Sequence, residues 1–276
     1  MFSTKINIYV SNIEMTLNAN VIETNTDNSV KTRLLFSRVL PNDLTNDNDS
    51  PYAFFYIGIK DSFLNPFLFY FNKNKFFQYN SKSLTTLSIP FSKTNKELMR
   101  RYYLIEKARD SNIFGILIGT MSVANYAKAV DHVSDLLKKV NKRFYSFLIG
   151  KLNCPKLNNF MEVDIYVLVA CNENSLINSK ELNKPIITIY ELEIAFNCAR
   201  LWGDEFICDY RQLLSGGEHH KQIELSEQES DVSLVTGANR YLHKVEDIKE
   251  MSSLISRDSA LAVIHHSGAG FILFLL

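Results

Sequence analysis

The chain has 276 residues, enough for roughly two domains at about 150 residues each, and its 30 Lys+Arg offset 30 Asp+Glu to a formal net charge of zero. A neutral chain has no basic field with which to track a phosphate backbone, which argues against a dedicated nucleic-acid binder. With 46% hydrophobic and 22% charged residues, the composition excludes a disordered chain and supplies apolar material for two cores.

No membrane span is expected. Ser259 to Leu276 is broken by His265, His266, Ser267 and two glycines, and its uninterrupted part, Phe271 to Leu276, falls far short of the ~20 residues a bilayer needs. Met1 to Lys5 leads into alternation, not into the apolar run of a signal peptide. The expected location is the cytoplasm, where Cys154, Cys171, Cys198 and Cys208 are reduced thiols or metal ligands and not disulfides.

In chain order, Ile6, Ile8 and Val10 alternate with polar residues as in a half-buried strand. The polar run Asn42 to Pro51 predicts an exposed loop. Ala53 to Ile57 is a short aromatic strand closed by Gly58, and Phe76 to Tyr79 a second strand after an ambiguous apolar element at Asn65 to Phe71. From Lys96, the positions Leu98, Met99, Tyr102, Ile105 and Ala108 mark one helical face. A buried strand at Ile113 to Ile118 stops at Gly119-Thr120. Val123 to Val140 is an amphipathic helix ending in Lys138-Lys139, which suits a helix C-terminus. Strands follow at Phe144 to Ile149, Val163 to Ala170 and Pro185 to Ile189, and a short helix at Glu191 to Cys198. Strands alternating with helices imply βαβ units and a mainly parallel sheet.

The predicted fold class is therefore α/β, with consecutive doubly wound, Rossmann-like parallel-sheet domains. The predicted division is a small unit over 1–92 carrying the Asn-rich loop, a main domain over 97–215, and a polar tail over 216–276 expected to be mobile.

Cys171 is the strongest candidate for chemistry. It follows the buried strand directly, in Val167-Leu168-Val169-Ala170-Cys171-Asn172-Glu173-Asn174. Ligands of open α/β sheets bind in the crevice beyond strand C-termini, so a thiol there is a ligand or nucleophile candidate; the competing reading is a buried structural cysteine. Cys154 in a loop, Cys198 on the apolar side of a helix and Cys208 in an apolar run are read as structural. The spacings of 17, 27 and 10 residues contain no C-x-x-C, which excludes zinc-ribbon and ferredoxin patterns. His219-His220 and His265-His266 are expected in solvent, and His132 is expected to border the core. Gly115-x-x-x-Gly119-Thr120 lacks the P-loop lysine and no strand precedes a G-x-G-x-x-G, so a glycine-loop nucleotide site is not supported. Lys151, after Gly150, could reach an anion, although most such lysines are only solvated.

Five ordered motifs carry a resemblance. They are Arg101-Tyr102-Tyr103-Leu104-Ile105-Glu106-Lys107-Ala108, Gly115-Ile116-Leu117-Ile118-Gly119-Thr120, Gly150-Lys151-Leu152-Asn153, Val167 to Cys171 continuing through Glu173-Asn174-Ser175-Leu176, and Pro185-Ile186-Ile187-Thr188-x-Tyr190-Glu191-Leu192-Glu193. In this order they resemble the diphthamide-synthesis proteins, most nearly the eukaryotic second-subunit type, over residues 50–215 and more loosely over 1–50. The resemblance implies three similar α/β domains, each able to offer one cysteine to a central [4Fe-4S] cluster, with S-adenosylmethionine on the fourth iron. Reductive cleavage then gives a 3-amino-3-carboxypropyl radical that adds to a histidine of translation elongation factor 2. Residues 1–92 correspond to the family's middle domain and 97–215 to its third, and Cys171 matches the third-domain cysteine. No cysteine precedes Cys154, and the family's first domain is expected to be missing upstream of Met1. The resemblance further implies a heterodimer with the first subunit, whose cluster the second subunit helps to reduce, and a small zinc-binding electron-donor protein as a further partner. Two other readings stand beside this one: a scaffold that stabilises its partner without binding iron, and a flavodoxin-like small-molecule binder resting on fold analogy.

Overall fold

The computed structural model describes residues 10, 32–35, 38–41, 52–58, 64–119, 124–149, 152–171, 175–177, 182–203, 206–225, 230–241 and 273–275. The expectations for Ile6, Ile8, the Asn42–Pro51 loop, Thr120, Gly150, Lys151, Asn172 to Asn174, His265 and His266 lie outside the described residues. Among the described residues no helix is long and apolar enough to cross a membrane.

The first unit opens with an antiparallel pair, β1 (Thr32–Leu35) and β2 (Arg38–Pro41). Then come β3 (Ala53–Ile57), α1 (Asn65–Tyr70), β4 (Lys75–Asn80) and β5 (Thr85–Ile89). The ambiguous element at 65–71 is a helix. Pro66 in its first turn needs no N–H partner and pre-sets the helical φ. These three strands form one sheet in the order β3-β4-β5, with β3 parallel to β4 and β5 antiparallel. On its inner face Phe54 stacks on Phe76 at 4.6 Å and meets Phe71 at 4.8 Å.

α2 (Phe91–Asp110) joins the two units. Leu98, Ile105 and Ala108 are buried on it, but Met99 is 65% exposed, contrary to the predicted face. A step of one residue turns a helix by about 100°, so neighbours such as Leu98 and Met99 point in different directions.

The second unit contains β6 (Ile113–Ile118), α3 (Tyr126–Lys139), β7 (Arg143–Leu148), α4 (Cys154–Asn158), β8 (Ile165–Val169), β9 (Ile186–Thr188) and α5 (Ile189–Phe196). Next are the hairpin strands β10 (Ser230–Val232) and β11 (Asn239–Tyr241), and finally β12 (Leu273–Leu275). The main sheet has the order β12-β7-β6-β8-β9, and every pairing in it is parallel. Both faces are covered, so all five residues of β8 are buried and its sequence is an uninterrupted apolar run. Phe114, Ile116, Ile118, Val167 and Val169 pack with α2, α3 and α5 on one face, while Leu117, Tyr166 and Leu168 pack with Cys154 and Leu157 of α4 on the other.

Gly115 is imposed by this packing. A Cβ on it would lie 2.4 Å from the Tyr166 ring, whose hydroxyl donates to the Leu157 carbonyl at 2.8 Å.

The segment expected to be a tail includes secondary structure. β10 and β11 pair as a hairpin, and Arg240 of β11 bridges Glu106 and Asp110 of α2 as well as Asp231 of β10. Ser233 adds a hydroxyl bond to Asp110 at 2.7 Å. A polar composition concealed these contacts because they are made by charged groups.

Candidate functional site

From β6 the chain proceeds outward to β7, then returns across β6 to place β8 on its other side. The connections therefore diverge between β6 and β8. That divergence is a topological switch point, where the loops part and leave a crevice beyond the strand ends. Gly119 closes β6 with its N–H donating to the Val169 carbonyl at 2.9 Å, so the two strand ends are held side by side.

Cys171 stands two residues past the end of β8. Ala170 is still buried, whereas Cys171 is partly exposed. The other thiols are placed differently. Cys154 is the first residue of α4, not a loop residue, and is buried; Cys208 is buried. Cys198 departs from expectation: α5 ends at Phe196, and Cys198 is exposed in the following turn, its N–H donating to the Glu224 carbonyl. The turn arises because Asn197 spends its side chain on backbone groups, accepting from Ala199 and Glu224 N–H and donating to the Gln222 carbonyl.

Ala170, the neighbour of Cys171, lines a small recess with Leu168, Ser175, Thr188, Cys208 and Tyr210 among others, with room for about one water molecule. Burial pushes the Cys208 thiol far above the ordinary value, and the Glu191 carboxylate adds to this, so that sulfur stays protonated and inert. Burial also pushes the Tyr210 phenol up to about 12; Asp209 adds to the shift and Arg211 opposes it.

The start of α5, where Thr188 lines the recess, is fixed by buried charge. Thr188 and Glu191 form a capping box at the start of α5, with the Glu191 carboxylate accepting from the Thr188 N–H at 2.7 Å. Arg101 reaches from α2 to both oxygens of the same carboxylate. A bidentate fork in a dry site is a strong, orienting contact. The Thr188-x-x-Glu191 spacing is the sequence signature of this box; nothing local identifies Arg101, 90 residues away, as its partner. Behind it, Glu193 is fully buried between Arg200 and His132, the latter at 2.6 Å. His132 borders the core as expected, and it has an ionic partner. His219 and His220 lie on a turn, where the His220 ring contacts the Leu213 carbonyl at 2.9 Å.

As a metal donor set this chain offers one accessible thiol at the crevice. Among the described residues there is no group of three or more His, Cys, Asp or Glu able to hold a metal ion. A cubane cluster takes three or four ligands. Among the described residues the donors fit a contribution of one ligand to such a cluster and no more.

A doubly wound α/β domain with a thiol at its switch point is the class that fold and site define. A family model of diphthamide synthesis proteins matches residues 2–207, and the chain belongs to that family. The chain is similar to 2-(3-amino-3-carboxypropyl)histidine synthase subunit 2 of Danio rerio, with 40% identity over 228 residues covering 79% of this chain and 46% of that protein. The protein of the same name from Xenopus laevis is 39% identical over 234 residues, and that from Schizosaccharomyces pombe 30% identical over 273, covering 95% of this chain and 53% of the relative. The chain thus spans about half the length of these relatives. Among solved structures, Dph2 from Pyrococcus horikoshii with a 4Fe-4S cluster aligns with a TM-score of 0.43 at 22% identity, over 51% of this chain and 39% of that one.

Proposed function

We propose that this chain is a subunit of the S-adenosylmethionine-dependent, radical-type 3-amino-3-carboxypropyl transferase that modifies a histidine of translation elongation factor 2 in the first step of diphthamide biosynthesis. The observation that carries the reading is the partly exposed Cys171 at the switch point of a chain belonging to this family. Cys171 donates one thiolate to a [4Fe-4S] cluster. When bound, that cluster would supply a one-electron redox centre beside the cluster of the first subunit, where S-adenosylmethionine is cleaved. The residues of this chain position the thiolate: β8 carries it, the Gly119 N–H ties its strand to β6, and the Arg101–Glu191 fork fixes α5 beneath the recess.

In this reading the chain works as a cytoplasmic heterodimer with the first subunit. It supports reduction of the cluster there, with electrons delivered by a small zinc-binding donor protein. Co-expression with the first subunit tests it. The anaerobic complex, given S-adenosylmethionine, a reductant and elongation factor 2, adds one aminocarboxypropyl group to the target histidine, read by peptide mass. The first subunit alone is expected to work much more slowly with the protein reductant. An equal rate without this chain contradicts the proposal.

A second reading, a scaffold that binds no iron, is favoured by the lack of a metal-holding group among the described residues. It predicts full modification by a Cys171→Ala complex, where the leading reading predicts slowed modification.

A further inference from the structure

Three parts of the chain meet at Tyr210: Ala124 just before α3, Ala170 at the end of β8 next to Cys171, and Thr188 at the start of α5. Tyr210 joins them. Its ring is 3% exposed and lines the recess together with Ala170, the neighbour of Cys171, and with Thr188 at the start of α5. Its hydroxyl donates to the Ala124 carbonyl at 3.2 Å, across 86 residues of sequence. Asp209 anchors the short turn that presents Tyr210, accepting from the Arg211 N–H at 3.0 Å and pairing with the Arg211 guanidinium at 2.6 Å. The Cys171 thiol lies within electrostatic reach of the phenol.

The geometry points to Tyr210 as a positioning residue for Cys171, a clamp that ties Ala124, just before α3, to the wall that Ala170 forms next to the thiol. The inference rests on the reading of Cys171 as the functional group of the crevice. Tyr210 lies just beyond the residues matched by the family model. One sulfur that must meet ligands from outside its own chain gains most from such a clamp, because misplacement of the loop by a fraction of an ångström is not corrected by neighbouring ligands on the same chain. With the hydroxyl bond removed, the mouth of the crevice opens more often and the thiol becomes more accessible.

The test uses the metal-free chain, so its outcome does not depend on iron binding. Alkylation by iodoacetamide is followed by mass spectrometry separately at Cys171, Cys154 and Cys208, in the wild type, Tyr210→Phe and Tyr210→Leu. Loss of the hydroxyl alone should speed Cys171 alkylation by about five-fold, the equivalent of one net hydrogen bond. Cys154 and Cys208 should keep their slow rates. Tyr210→Leu, which removes the ring, should expose Cys208 as well and shows what simple loss of packing looks like. The inference is overturned if Tyr210→Phe leaves Cys171 unchanged, if it accelerates Cys208 in parallel, or if it fails to fold, since each assigns Tyr210 a purely structural part. Iron content of the wild-type complex tests the cluster reading independently.

Discussion

Two thiols and two glycines separate chemistry from packing at the level of single residues. Cys171 is partly exposed at a strand end, so Cys171→Ala should cost about 1 kcal/mol or less, whereas Cys208→Ala opens a void in a closed core and should cost about 1–3 kcal/mol, read from urea midpoints. Gly115→Ala forces a Cβ into the Tyr166 ring and should cost about 1–3 kcal/mol. Gly119→Ala meets only ordinary contacts, the nearest at 3.5 Å, and should be nearly neutral. The tyrosines set the alkaline limit. Burial holds both Tyr166 and Tyr210 near 12, against an ordinary value of 10. Each folded value lies above the unfolded one, so the stabilisation is intact below pH 10 and lost as pH rises from 10 to 12. Phenolate absorbance and far-UV circular dichroism recorded together should show the last tyrosines ionising as the helices melt. Their ionisation with the fold intact would contradict the burial account.

The elements beyond residue 196 are held by charges that the sequence does not pair. Arg200 and Glu193 are both buried, and Arg200→Ala leaves the carboxylate with only His132 beside it, a loss of about 3–5 kcal/mol. Arg240 acts more locally. Arg240→Ala should raise amide exchange across β10 and β11 to near that of free peptide while lowering the melting temperature only slightly, because partly exposed pairs contribute about 0–1 kcal/mol each. A large global loss would show that the hairpin is integral to the domain. The strands of the main sheet were legible because β6 and β8 are buried on both faces, which makes a short apolar run distinctive. β6 keeps its expected bounds, β7 starts and ends one residue earlier than expected, and β8 and β9 are shorter by one or two residues at each end, since hydrogen bonding and not hydrophobicity ends a strand. The hairpin and α1 were not legible: one is held by ion pairs to a helix more than 100 residues earlier, and the other is a six-residue aromatic stretch too short to show a period.

For the whole molecule, the place of Cys171 at a strand end was legible because a buried apolar run stops just before it, whereas Tyr210, Arg101 and Arg200 act through contacts made only on folding. On the proposed function, this chain gives one thiolate to an iron–sulfur cluster. The most direct measurement is iron content and the electron paramagnetic resonance spectrum of the anaerobically purified complex with the first subunit, wild type against Cys171→Ala. The account predicts that the substitution removes the iron and the signal belonging to this chain, spares those of the first subunit, and leaves the melting temperature nearly unchanged. Equal iron and an identical spectrum in the two complexes would contradict it.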